Sequence, residues 1–64
     1  MKLMRNGKAF NGNEVRVTYD QNRLGDRYRV DFKREGEYGW RYAASFGTAG
    51  EAVGYYDKMI RGGR

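Results

Sequence analysis

Alternation of apolar and polar residues dominates the middle of the chain. In "EVRVTY", Glu14 to Tyr19, the residues Val15, Val17 and Tyr19 fall on one face and Glu14, Arg16 and Thr18 on the other, the period-two pattern of a half-buried strand. The pattern returns in "RYRVDFK", where Tyr28, Val30 and Phe32 alternate with Arg27, Arg29, Asp31 and Lys33. A third run, "YGWRYAASF", sets Tyr38, Trp40, Tyr42, Ala44 and Phe46 against Gly39, Arg41, Ala43 and Ser45. "DQNRLGD" and "REGE" separate the runs, with Gly25 and Gly36 free to take positive φ. Connections this short make neighbouring strands antiparallel, so residues 14–46 are expected to form a three-stranded meander.

The period changes after Phe46. Ala49, Ala52, Val53, Tyr56, Met59 and Ile60 recur at helical spacing, opposite Glu51, Gly54, Asp57, Lys58 and Arg61. Thr48 followed three residues later by Glu51 has capping-box spacing, and Gly62 and Gly63 supply a stop, so the helix is placed over 48–61. A one-sided sheet and an amphipathic helix bury their apolar faces against each other. The expected fold is therefore α+β: a three-stranded antiparallel β-meander, with or without a short extra N-terminal strand, packed on one C-terminal α-helix.

Residues 1–13 are less determined. Asn6-Gly7 and Asn11-Gly12 are both tight-turn signals, compatible with short strands at Lys2 to Arg5 and Lys8 to Phe10. They are equally compatible with a flexible basic arm anchored by Leu3, Met4 and Phe10.

Length restricts what this chain can build. Its 64 residues suffice for one domain, 1–64, and contain neither Cys nor His, so disulfides and the commonest zinc ligands are excluded. Six Tyr, three Phe and one Trp are expected to supply the core, with Trp40 inside it. On that assignment Trp40→Ala unfolds the domain, whereas Arg29→Ala leaves its stability nearly unchanged. The rings are read as core rather than as a base-stacking platform. With no Cys, no long apolar run and no leader-like apolar stretch in Met1 to Phe10, the cytoplasm is the default expectation, with no membrane association expected.

Charge adds a direction. Residues 1–34 hold nine basic and four acidic groups, and residues 35–64 hold four of each, so the net +5 belongs to the first half. Catalysis is poorly provided for, with one Ser, two Thr and no convergent carboxylates, and we expect neither an enzyme nor a cofactor. The face away from the helix is the candidate site. Arg16, Arg29 and Arg41 would form a cross-strand row suited to phosphates or guanine edges, joined by Thr18, Arg27, Lys33 and Arg34.

"FGTAGEAVGYYD", from Phe46 to Asp57, resembles the end of the plant-type AP2/ERF DNA-binding domain and its phage-integrase relatives, which commonly read F-x-T-A-x-E-A-x-x-x-Y-D. Phe46, Thr48, Ala49, Glu51, Ala52, Tyr56 and Asp57 fit. The resemblance implies a meander followed by a helix, with Arg and Trp side chains of the open sheet face in the major groove. The leading expectation is a phage or mobile-element protein that binds nucleic acid, DNA duplex first, as a monomer or weak homodimer. Its rival is a protein-binding inhibitor, such as an anti-CRISPR protein docking on a host defence complex.

Overall fold

The computed structural model describes residues 2–62. Gly63, the second glycine of the proposed helix stop, lies outside them. Four strands, β1 (Lys2–Lys8), β2 (Glu14–Tyr19), β3 (Tyr28–Lys33) and β4 (Arg41–Phe46), precede one helix, α1 (Ala49–Ile60). The strands form a single antiparallel sheet in the order β1-β2-β3-β4. The expected α+β meander is present, and the extra N-terminal strand is its fourth member. No described helix is long and apolar enough to cross a membrane.

The two Asn-Gly pairs behave differently, for a packing reason. Gly12 takes φ +89 in a turn closed by Ala9 N–H donating to Asn13 O at 2.6 Å and Gly12 N–H donating to Ala9 O at 3.0 Å. Gly7 instead stays within β1, opposite Val15, because Tyr56 of the helix passes over it and a methyl group there would collide with the Tyr56 hydroxyl. Close approach, rather than a turn, requires the glycine.

Val15, Val17 and Val30 are fully excluded from solvent beneath Ala52 of α1, with Ala9 also buried. The innermost layer is thus aliphatic, not aromatic as expected from composition. Rings form its margin: Tyr28, Phe32, Phe46, Tyr55 and Tyr56 pack around the valines, with Phe46 and Tyr55 centroids 5.5 Å apart. Three β-branched residues on adjacent central strands bring a tight surface close to the helix, and small Ala52 admits that approach.

Thr48 caps α1. Its hydroxyl accepts from Glu51 N–H at 3.3 Å and donates to the Glu51 carboxylate at 2.9 Å, so the reciprocal bond runs through the hydroxyl. At the other end Arg61 N–H donates to Asp57 O, and Phe10 N–H donates to Ile60 O at 3.2 Å, tying the first hairpin to the last turn.

Candidate functional site

The open face begins with pairing register. Lys8, Glu14 and Lys33 lie side by side across β1, β2 and β3, as do Asn6, Arg16 and Asp31 one step along. The pairing then shifts between β3 and β4: Val30 faces Ala44, whereas the next residue, Asp31, faces Tyr42. Ala43 is the extra residue of a β-bulge and packs with the core. One extra residue reverses the alternation for everything before it on that strand. Ala44 and Phe46 keep their expected covered face, but Tyr42 and Trp40 are turned to the opposite side.

That reversal corrects three sequence-based assignments. Trp40 is not a core residue, since its ring lies under the Arg16 guanidinium, 4.1 Å from centroid to Cζ, with Lys33 Nζ at 5.3 Å. Tyr42 is about half exposed and has the Arg29 guanidinium 5.2 Å from its centroid, while Tyr38 is 97 % exposed. Arg41 in turn leaves the arginine row. It falls opposite Phe32 and turns back on its own loop, where Nε and Nη2 both donate to the Glu37 carboxylate at 3.0 Å. This two-pronged bond holds Glu37 below the usual glutamate range and raises the guanidinium pKa of Arg41.

Arg16 and Arg29 do come together, diagonally across β2 and β3, with Asp31 between them. Asp31 is only 3 % exposed. Its Oδ1 accepts from Arg29 Nε at 2.7 Å, and its Oδ2 lies 3.6 Å from Arg16 Nε. The second distance is an ion pair too long for a hydrogen bond, and buried Arg16 Nε has no hydrogen-bond partner among the described residues. Arg29 is therefore held at Nε by the Asp31 carboxylate and lies against the Tyr42 ring, while Arg16 is paired with the same carboxylate at longer range and lies over the Trp40 ring.

Lys33 joins the same face and bonds Glu14 at 2.7 Å, a contact that holds Glu14 below its usual pKa, with Lys8 adding to the effect. The remaining predicted residues are dispersed. Thr18 is on the open-face register, between Leu3 and Arg29, yet is only 5 % exposed and is a packing residue. Arg27 precedes β3 and donates from Nε to Arg23 O at 2.9 Å within the loop. Arg34 begins the β3–β4 turn and lines a cleft of about 310 Å³ with Lys8, Lys33 and Tyr38. Tyr38, Trp40 and Tyr42 are the site residues missed by sequence reasoning. No local signal marked them, because the bulge exists only in the pairing with β3.

No family model, characterised protein or solved structure matches this chain.

Proposed function

We propose that this protein binds nucleic acid, with DNA as the first choice, through the open face of its sheet. The observation carrying this reading is that Arg16 and Arg29 share that face, each lying against an aromatic ring. Cations among rings suit a polymer of phosphates and flat bases. The excess of basic over acidic residues in positions 1–34 points the same way. The resemblance of Phe46 to Asp57 to the AP2/ERF pattern implies Arg and Trp on the open face, and Arg16, Arg29 and Trp40 are there. Arg41, bound to Glu37, has no part in the proposed contact, and Thr18 and Arg27 are set aside with it.

Anisotropy of labelled mixed-sequence DNA, titrated at about 50 and 200 mM salt, tests this. Four phosphate contacts from Arg16, Arg29, Lys33 and Arg34 give a log–log slope of about −3.6, a loss of roughly a hundredfold between the two salts. Replacing Arg16 and Arg29 together by Gln reduces the slope by about 2.

One feature supports a second reading. Asp31 already compensates both arginines, and Trp, Tyr and Arg together are the usual composition of a protein-binding hot spot. An absence of salt-dependent DNA binding at 50 mM disproves the first reading and favours a module that docks on another protein, in the manner of a phage-encoded inhibitor.

A further inference from the structure

Tyr38, Trp40 and Tyr42 occupy alternate positions on β4 and the segment leading into it. Tyr38 and Trp40 line one shallow cleft, while Trp40 and Tyr42 stand against Arg16 and Arg29 of the open face. We propose that the occupant of this face is a single-stranded stretch of nucleic acid whose bases stack along these three rings. This inference rests on the nucleic-acid reading above and narrows it.

Ring spacing is the first reason. On an extended backbone alternate side chains are about 6.8 Å apart, twice the roughly 3.4 Å taken by one stacked base. Trp40 and Tyr42, on either side of Arg41 at the start of β4, thus leave room for a single base between them, while the chain bends at Gly39 and sets Tyr38 in the loop beyond. Paired bases in a duplex already have both faces covered by their neighbours, so rings at this spacing meet only base edges there. An unpaired base has faces to offer, and stacking on them tolerates any sequence.

Exposure is the second. Tyr38 is 97 % exposed and Tyr42 54 %, on a sheet whose opposite face already has its helix. A small domain gains nothing in stability from an aromatic side chain left almost wholly in water.

Charge complementarity is the third. Arg16, Arg29 and Lys33 follow the rings on the inner strands, and the cleft beyond Tyr38 adds Lys8 and Arg34. The same cleft is lined by three carboxylates: Glu14 is bound by Lys33 and Glu37 by Arg41, while Glu35 lies against Gly12. The cations stand nearest the rings at Trp40 and Tyr42, where Arg16, Arg29 and Lys33 can meet a backbone phosphate. Stacking rings beside a cationic track are the working parts of a single-strand site.

Trp40 is the sole tryptophan, so its emission reports stacking at the site itself. The experiment titrates the protein with a short oligothymidylate and, separately, with a mixed-sequence duplex of equal length, at about 100 mM salt. The oligothymidylate is expected to bind at least about tenfold tighter and to quench Trp40. Tyr38→Ala is expected to weaken oligothymidylate binding by about tenfold while leaving duplex binding and the melting temperature unchanged. Exposed Tyr38 can be removed without disturbing the fold.

Equal or tighter duplex binding overturns the single-strand inference, as does oligothymidylate binding that leaves Trp40 emission or the Tyr38→Ala variant unaffected. The broader nucleic-acid reading survives those results. Failure to bind either probe, even at about 50 mM salt, overturns both.

Discussion

The two faces of this sheet bury residues by opposite means. Beneath the helix, Val15, Val17 and Val30 reach zero exposure with no polar group to satisfy. On the other side Asp31 is nearly as buried, yet it is covered by two arginine side chains that are themselves partly wet and lean on Trp40 and Tyr42. Apolar burial asks only for shape, whereas a buried carboxylate requires partners at particular distances. The covered face therefore tolerates changes of similar volume, and the open face is sensitive to single atoms.

The comparison can be broken most severely at the bulge that separates its halves on β4. Deleting Ala43 returns Trp40 and Tyr42 to the covered side, where the valine layer has no room for them; loss of the cooperative thermal transition, followed by circular dichroism, is the expected result. Val17→Ala removes two methyl groups from a fully buried site, for a cost of about 2 kcal/mol. In a domain this small that lowers the melting temperature by roughly 10 °C. Asp31→Ala leaves Arg16 and Arg29 facing each other without their shared counter-ion, and should cost about 1–2 kcal/mol, since both are partly exposed. Chemical denaturation measures it.

Trp40→Ala sharpens the contrast. A core tryptophan would cost about 3–5 kcal/mol, but this ring contributes its contacts with Arg16 and Lys33, so the expected loss is about 1 kcal/mol or less. A denaturation midpoint close to the parent's supports its place on the open face.

The smallest effect is in pH. Glu14 and Glu37 are both held below the ordinary glutamate value of 4.5 by their bonds to Lys33 and Arg41. Around and below that value the unfolded chain takes up these protons before the folded one does. Their contribution is therefore complete above the ordinary pKa and drains away as pH falls through the lowered folded one. The melting temperature should decline from about pH 5 to pH 3, and Glu37→Gln should flatten part of the decline.

Local signals were readable wherever they agreed with packing. The alternation of Glu14 to Tyr19 reproduced β2 residue for residue, Gly25 and Gly36 took positive φ in their turns, and Thr48 capped the helix. Two features resisted because they are relations between segments. Nothing in the residues around Asn6-Gly7 reveals that Tyr56, far along the chain, lies over Gly7 and turns a hairpin signal into a strand. Similarly, "YGWRYAASF" alternates perfectly as a string, and only pairing with β3 shows that Ala43 is extra. That one hidden residue moved Arg41 out of the arginine row and brought two rings into it. Most of the fold was legible, while the composition of the candidate site was not.

The Ala43 bulge has a further consequence, for colloidal behaviour. β1 and β4 are the sheet's unpaired edges. β1 carries Lys2, Arg5 and Lys8 and no acid, so two copies brought edge to edge repel each other. From Tyr42 to Phe46, β4 has no charge at all, and an edge of that composition is prone to recruit strands from other chains. The kink at Ala43 interrupts its row of free amides and carbonyls midway, so a second strand cannot register along its full length. The residue that turns Trp40 outward also keeps the exposed edge from seeding a continuous intermolecular sheet.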